Sequence, residues 1–335
     1  MTGAAGFIGS RLVHELVRLG RLRDGSGHER AITELMLLDR TAIDLPGLNL
    51  PANASRIAIR CASGELSDAA FMARCLGEAS LDSLFHLAAM LTSAAEHDFE
   101  QGLAVNVLGL LDILGHCRRQ GRSPKLIFAS SIATFGGALP DLVEDDTAQK
   151  PQTSYGAHKA IAELLLDDHN RHGLLDGRAL RLPIVLTRPG KPAASVSDRV
   201  AGILREPLRG EPVACPLTPE TWLPVVSVGA VVRGLITLHD LPPEAFGDSR
   251  ALNLPALSVT VAMMIECLRR HAASLPAGHR LGTIGWAPDP AMQRIVDSWP
   301  KRFDSARARR LGILPDADLD AVLQDFLVNG GLSHE

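Results

Sequence analysis

The first part of the chain switches repeatedly between short apolar runs and longer segments whose apolar residues are three or four apart. Short apolar runs predict buried strands, and the longer pattern predicts helices with one core face. The predicted strands are 34–39, 56–60, 83–89, 125–131 and 178–185, and the predicted helices are one that ends at Gly20, then 67–76, 99–120 and 154–170. Strict alternation of this kind predicts an α/β fold with a doubly wound parallel sheet and a site at the carboxyl ends of its strands.

Beyond residue 188 the alternation loosens and prolines become frequent. The periodicity predicts short helices at 197–209, 228–238, 260–272, 291–299 and 318–327. We expect a nucleotide-binding, Rossmann-like domain over 1–188. A smaller mixed lobe over 189–335 is expected to interleave with the end of the sheet and to bind the substrate.

A glycine-rich turn opens the chain, with Gly3, Gly6 and Gly9 around Phe7 and Ile8. Glycines let backbone N–H groups approach a pyrophosphate, which then lies at the positive end of the following helix. Such a turn normally follows a buried strand, but only Met1 and Thr2 precede Gly3. We therefore expect a truncated first strand and a natural chain that begins upstream.

The strand at 34–39 ends in Asp39, where a carboxylate would bind ribose hydroxyls and repel a 2′-phosphate. The polar stretch 21–30 is interpreted as an inserted loop that lengthens the distance from the glycine turn. Arg40 would tolerate a phosphate, so NADP stays open beside the favoured NAD.

Tyr155 is the only tyrosine in 335 residues, and Lys159 follows one helical turn later. A lysine ammonium beside a phenol favours the phenolate and lowers its pKa from about 10. The pair is therefore predicted to exchange a proton with an alcohol or ketone near neutral pH.

Four motifs in this order resemble the extended, epimerase/dehydratase-like branch of the short-chain dehydrogenase/reductase family. They are Thr-Gly-Ala-Ala-Gly-Phe-Ile-Gly at 2–9, His-Leu-Ala-Ala at 86–89, Ser-Ser-Ile-Ala-Thr-Phe-Gly at 130–136 and Pro-Gln-Thr-Ser-Tyr-Gly-Ala-His-Lys at 151–159. The resemblance implies that Tyr155 transfers the proton, that Lys159 lowers its pKa and holds the nicotinamide ribose, and that Ser131, preferred over Ser130, binds the reacting oxygen. The other implied NAD contacts are Gly3, Gly6, Phe7, Ile8, Gly9, Asp39, Glu65, Leu66, Leu87, Ala88, Ala89, Asn106 and Pro183. His158 is expected to be a packing or solvated residue.

Ile132 and Ala133 follow Ser131, where sugar-nucleotide dehydratases of this branch carry an acidic pair. Hydride transfer alone therefore fits better. Segments of the second half, among them Arg-Pro-Gly-Lys-Pro at 188–192 and Trp-Ala-Pro-Asp-Pro at 286–290, are similar to dehydrogenases of the branch that oxidise the C2 hydroxyl of D-erythronate. A carboxylate substrate needs a cation, so Arg188 or Lys191 is a candidate anchor, and Thr92 or Ser93 a hydroxyl contact. The alternatives are a sugar-nucleotide epimerase and a non-catalytic NAD(P) sensor.

The chain has 46% hydrophobic residues, 21% charged residues and a formal net charge of -4. Such a composition gives no electrostatic reason to expect nucleic acid or an anionic membrane as partner. Five scattered cysteines without metal-ligand spacing are expected to be reduced thiols in the cytoplasm, with no metal bound. The family resemblance implies a homodimer through the helices 99–120 and 154–170, although the sequence does not mark their outward faces as clearly apolar.

Overall fold

The structure, a computed structural model, describes residues 1–77, 80–186, 195–247, 249–272, 275 and 280–328. Its first part alternates between strands and helices as predicted. In chain order the elements are α1 (Phe7–Leu19), β1 (Arg21–Arg23), β2 (Glu29–Ala31), β3 (Glu34–Asp39), β4 (Ala58–Ser63), α2 (Ala69–Leu76), β5 (Ser83–His86), α3 (Thr92–His97), α4 (Phe99–Leu103), a π-helical turn (Ala104–Leu108), α5 (Gly109–Gln120), β6 (Lys125–Ser131), α6 (Ser154–Arg171) and β7 (Asp176–Leu182).

Each of the five helices predicted beyond residue 188 is present. The elements of this second part are shorter than those of the first. They are β8 (Ile184–Val185), α7 (Val196–Leu208), β9 (Val213–Cys215), β10 (Trp222–Val226), α8 (Val228–Asp240), β11 (Ala251–Asn253), β12 (Leu257–Thr260), α9 (Val261–His271), β13 (Ile284–Trp286), α10 (Pro290–Asp297), α11 (Ala306–Arg310) and α12 (Leu319–Val328).

The main sheet is parallel and doubly wound, so the predicted fold class is confirmed. Its order is β4-β3, then Thr2, then β5-β6-β7-β11, and every pairing along it is parallel. Thr2 bridges Leu38 on one side and His86 on the other, and its N–H donates to the Phe85 carbonyl at 3.0 Å. Met1 and Thr2 therefore hold the position of the central strand, and the strand order reverses beside them, where dinucleotides bind in this class of fold.

Alternate side chains of β6 point to opposite faces of the sheet. Ile127 packs in one core with the apolar faces of α1 and α8, while Leu126 and Phe128 pack in another with α2, α5 and α6. A third core lies in the second part, where β8, β10, α7, α9 and α12 meet.

The last strand of the main sheet, β11, and the helix α8 that packs on it both come from beyond residue 189. The second part of the chain therefore contributes to the main sheet as well as forming a sheet of its own. Its own sheet has the order β12-β10-β8, with β12 antiparallel to β10. The division at residue 188 stays a prediction.

Several predicted boundaries move. The helix predicted from Ser67 begins at Ala69, because the Asp68 carboxylate caps it by accepting from the N–H groups of Ala70 and Phe71. The strand predicted at 56–60 begins at Ala58, and the stretch 21–30 forms the β1–β2 hairpin rather than an irregular loop. Pro183 has no N–H to donate, and β7 ends at Leu182 before the chain enters the second sheet as β8.

No helix in the described part of the chain is long and apolar enough to cross a bilayer.

Candidate functional site

The glycine turn packs tightly against the strand end at Ala88. Gly3 has a φ of +74°, and a Cβ there would lie 2.7 Å from the Ala88 nitrogen. A Cβ on Gly9 would lie 1.9 Å from the Gly3 carbonyl oxygen, so both positions require glycine. Helix α1 then begins at Phe7, and within the described residues no side chain caps it. Its first N–H groups are available to an anion.

Asp39 lies beside this turn, as predicted. One carboxylate oxygen accepts from the Ala5 N–H at 2.9 Å, and the other accepts from the Thr41 N–H at 3.0 Å. The Arg40 Nε lies 3.9 Å from the Glu65 carboxylate, and both side chains are exposed. Leu66 is buried beneath Gly109. The residues predicted to contact adenosine therefore lie together at one end of the sheet edge.

The turn 87–90 is fixed from behind by Asn106, which lies in the π-helical turn. Its Oδ1 accepts from the Met90 N–H at 2.8 Å, and its Nδ2 donates to the Met90 carbonyl at 2.9 Å and lies 3.2 Å from His158 Nδ1. Both the oxygen and the nitrogen of the amide thus have partners within the protein. Asn106 thus shapes the turn that carries Leu87, Ala88 and Ala89, and its direct contact with the cofactor stays a prediction. His158 is buried and serves the same packing.

Tyr155, Ser131 and Lys159 come together at the carboxyl end of β6. Thr153 caps α6 by accepting from the Gly156 N–H at 3.0 Å, which places Tyr155 in the first turn. The Ser131 hydroxyl interacts with the phenol and lowers its pKa, and it also accepts from the Ala133 N–H at 3.1 Å. The Lys159 Nζ donates to the Ala129 carbonyl at 2.7 Å and lies 4.3 Å from the Phe128 ring centroid and 5.5 Å from that of Tyr155.

The family model described as NAD dependent epimerase/dehydratase matches residues 1–249, well over half of the chain. The chain belongs to this NAD dependent epimerase/dehydratase family. Curated relatives named D-erythronate dehydrogenase are 41% identical over 99% of this chain and 98% of the Cupriavidus necator protein, and 36% identical over 98% of both chains in Haemophilus influenzae. A solved structure, named as a nucleoside-diphosphate-sugar epimerase from Agrobacterium tumefaciens, is 32% identical, with a TM-score of 0.86 over 99% of this chain and 94% of that one.

Membership of this family confirms the resemblance drawn from the four motifs and confirms NAD as the cofactor. The residues present fit that cofactor. The glycine turn leaves room that a side chain would fill, the helix end beside it is uncapped, and a carboxylate follows at the ribose position.

In the family's Tyr/Lys pair, the structure reverses the predicted direction of the tyrosine pKa. Burial raises the pKa of Tyr155 to about 12, against a smaller lowering by the Ser131 hydrogen bond. Burial likewise lowers the pKa of Lys159 to about 7. Burial therefore disfavours the charged form of both groups in the cofactor-free protein.

Because Tyr155 is the only tyrosine in the sequence, its pKa can be measured directly. Ultraviolet difference spectroscopy of phenolate formation is expected to show a midpoint near pH 12 in the folded, cofactor-free protein, because burial disfavours the charged form. The same protein unfolded in guanidinium is the control, with an expected midpoint of about 10. A folded midpoint at or below that of the unfolded chain would contradict the assignment.

Ser130 and Ser131 point to different environments, which supports the choice between them. The Ser130 hydroxyl is buried and donates to Glu163, one helical turn beyond Lys159, whereas Ser131 meets Tyr155. Glu163 also accepts from Arg181 Nη2 at 2.8 Å and from Gln149 at 2.7 Å. This network was not predicted from the sequence, although a carboxylate four residues after the lysine on the same helix face was a usable signal.

Only some of the predicted substrate contacts lie within the described residues. Ser93 is exposed on α3, whose Glu96 accepts from the Ser154 N–H at 2.6 Å and so ties α3 to the start of α6. Pro183, a predicted cofactor contact rather than a substrate contact, is buried just after β7. Arg188 and Lys191 lie outside the described residues.

Proposed function

We propose that the protein is an NAD-dependent dehydrogenase that oxidises the C2 hydroxyl of a small sugar acid, D-erythronate, to 2-oxo-D-erythronate. The observation that carries the proposal is the meeting of Tyr155, Ser131 and Lys159 at the sheet edge that also holds the glycine turn. The names of the two full-length relatives point to the same substrate.

Each group in the cluster has one role. The positive charge of an oxidised nicotinamide beside the phenol would lower the pKa of Tyr155 from its cofactor-free value. Tyr155, as phenolate, then accepts the proton of the C2 hydroxyl as general base, and Ser131 donates a hydrogen bond to the same oxygen. Lys159 is held by Ala129 beside the phenol and binds the nicotinamide ribose. NAD, when bound, accepts the hydride. The proposed carboxylate anchor is Arg188 or Lys191, with Ser93 as a hydroxyl contact.

The preference for NAD over its phosphorylated form rests on Asp39 and Arg40. The Asp39 carboxylate lies where a 2′-phosphate would be repelled. Arg40, the cation that would tolerate the phosphate, lies 3.9 Å from Glu65.

A panel of four- and five-carbon aldonates, assayed with NAD and with NADP, tests the function. Reduced cofactor is expected to accumulate fastest with D-erythronate and NAD. Failure to oxidise any aldonate would refute the proposal. A second candidate, a sugar-nucleotide epimerase, is favoured by the likeness to the 32% identical Agrobacterium tumefaciens structure. Binding of a nucleotide sugar in isothermal titration, without aldonate turnover, would support it.

The two neighbouring serines provide a matched pair of variants. Ser131→Ala is expected to lower kcat about 100-fold, because it removes a hydrogen-bond donor to the developing oxyanion. Ser130→Ala is expected to leave kcat within a few-fold and to lower the free energy of unfolding by about 1–3 kcal/mol, because Glu163 loses a buried donor. Steady-state kinetics and denaturant unfolding check both, and the reverse pattern would reject the role of Ser131.

We also propose that the protein is a homodimer in which each copy contributes the helical segments 99–120 and 154–170 to the interface. The described helices expose large apolar side chains there, and their exposed fractions are 60% for Phe99, 50% for Leu108, 40% for Leu111, 39% for Ile161 and 66% for Leu164. These exposed side chains, on helices that the sequence did not clearly mark as apolar outside, make the two helices a candidate interface for a second copy of the chain. Free thiols at all five cysteines support the further proposal of a cytoplasmic enzyme of carbohydrate metabolism.

Substitution on this face tests the dimer. Light scattering is expected to give twice the chain mass for the wild type and one chain mass for Leu164→Glu, because a charge in an apolar interface is costly. Leu314→Glu is the control, since Leu314 is similarly exposed, at 61%, but lies away from these helices. A wild-type monomer would contradict the proposal.

A further inference from the structure

The second part of the chain carries a cluster of three metal-ligating side chains that the proposed dehydrogenase reaction does not use. Cys267 and His271 lie one turn apart on α9, and Asp320 lies in the first turn of α12. Their donor atoms lie within 4.8 Å of one another, and among the described residues this is the one such group of cysteine, histidine and carboxylate.

The distances are close to those of a tetrahedral zinc site. The Cys267 Sγ lies 3.1 Å from Asp320 Oδ1 and 4.0 Å from His271 Nδ1, and His271 Nδ1 lies 3.3 Å from the same Asp320 oxygen. Zinc bonds of about 2.3 Å to sulfur and about 2.0–2.1 Å to nitrogen or oxygen separate tetrahedral ligand atoms by about 3.3–3.6 Å. Shifts of a few tenths of an ångström therefore bring all three donors onto one ion.

The chemistry of the donors selects the ion. A thiolate with an imidazole and a carboxylate suits zinc, whereas magnesium and calcium prefer oxygen ligands. Without an ion, the Cys267 thiol donates to Asp320, and His271 Nδ1 lies 3.1 Å from the Cys267 carbonyl. Zinc would replace the thiol proton, which passes to solvent, and a water would complete the coordination.

The surroundings allow this exchange. Cys267 is buried at 1% exposure, so its thiol is shielded, while Asp320 is 44% exposed on its side chain and gives a path for entry. Arg270 contacts both Asp320 oxygens at 3.3 and 3.4 Å but is itself 56% exposed and free to turn toward Glu266, which lies 3.9 Å away. The carboxylates of Glu266 and Asp318 add negative charge near the site.

We propose that Cys267, His271 and Asp320 form a zinc site that fastens α12 to α9. The two helices already share a core in which Met264 and Leu268 of α9 lie with Val322, Leu323 and Phe326 of α12. An ion across their ends would stabilise the lobe that we expect to bind the substrate. It takes no part in the proposed hydride transfer, so loss of the metal and loss of the dehydrogenase activity are separate results.

Titration of the full-length, chelator-treated and tag-free protein with Co²⁺ and then Zn²⁺ tests the site. The wild type is expected to bind one Co²⁺ per chain with a thiolate charge-transfer band, to exchange it for Zn²⁺, and to gain thermal stability on binding. Cys267→Ser is expected to lose the band and to weaken zinc binding more than about 100-fold, since even loss of a group that merely orients a ligand costs 10–100-fold.

Cys215→Ser is the matched control, because Cys215 is buried in the same core without a histidine or carboxylate among its described bonds, and it should keep the band. Asp320→Asn, at a half-exposed position, should fold even if Cys267→Ser does not, and should lose most of the zinc-dependent rise in Tm. No cobalt–thiolate band in the wild type, or zinc binding that survives both Cys267→Ser and Asp320→Asn, would overturn the proposal.

Discussion

Tyr155→Phe is expected to lower kcat by about 1,000-fold or more while leaving NAD affinity within a few-fold. General acid–base groups contribute typically 10²–10⁴-fold, and Tyr155 is the proposed base for the C2 hydroxyl. The substitution removes one hydroxyl and keeps the ring beside Lys159, whose Nζ lies 5.5 Å from its centroid. Initial rates with D-erythronate and isothermal titration with NAD measure the two effects.

Ser154→Ala is the control for this variant, because it removes the neighbouring hydroxyl on the same first turn of α6. Its kcat should match the wild type. A Tyr155→Phe enzyme that retained more than about a tenth of the wild-type kcat would show that another group accepts the proton, and the assigned role of Tyr155 would be withdrawn.

Arg181→Met is expected to give the largest loss of stability, about 3–5 kcal/mol in the free energy of unfolding, because it leaves the buried Glu163 carboxylate without its cation. Arg181 donates from Nε and Nη2 to Glu163 at 3.1 and 2.8 Å and from Nη1 to the Asp145 carbonyl at 2.9 Å. These bonds fasten α6, which carries the Tyr/Lys pair, to the adjoining strand β7. Denaturant unfolding monitored by circular dichroism measures the loss.

Arg171→Met on the same helix is the matched control. Its ion pair with Asp168 has a length of 2.6 Å, but its side chains are 69% and 55% exposed, so the expected loss is at most about 1 kcal/mol. Adding Glu163→Gln to Arg181→Met should restore about 1 kcal/mol or more, since it removes the uncompensated charge. Equal losses for Arg181→Met and Arg171→Met would contradict the argument.

The sequence was sufficient to place the cofactor turn, Asp39 and the Tyr/Lys pair, because each depends on local spacing. Glycines three apart before an amphipathic run, a carboxylate at a strand end, and two side chains one helical turn apart keep their meaning wherever the element lies. Boundaries that depend on one competing group were less reliable. Asp68, rather than Ser67, caps α2, and Pro183 breaks what the sequence suggested was one strand.

The hydrogen-bond partners of Asn106 could be identified only from the tertiary structure, because its position in a helix does not show which groups its side-chain amide contacts. Only the packing of the π-helical turn against the chain after β5 gives it Met90 and His158 as partners. Likewise, Cys267 and His271 are four residues apart in the sequence, but the third proposed ligand, Asp320, lies 53 residues beyond Cys267. Only the packing of α12 against α9 brings it close to them.

The sequence by itself determined the fold class, the glycine turn proposed to bind NAD and the identity of the proposed catalytic residues. It did so because periodicity and short motifs encode which elements form and which groups stand at their ends. The protonation of those groups was decided only by the tertiary structure. Spacing brings Lys159 beside Tyr155, but the enclosure of both by other elements raises one pKa to about 12 and lowers the other to about 7. Burial is a property of the whole fold, and no local pattern records it.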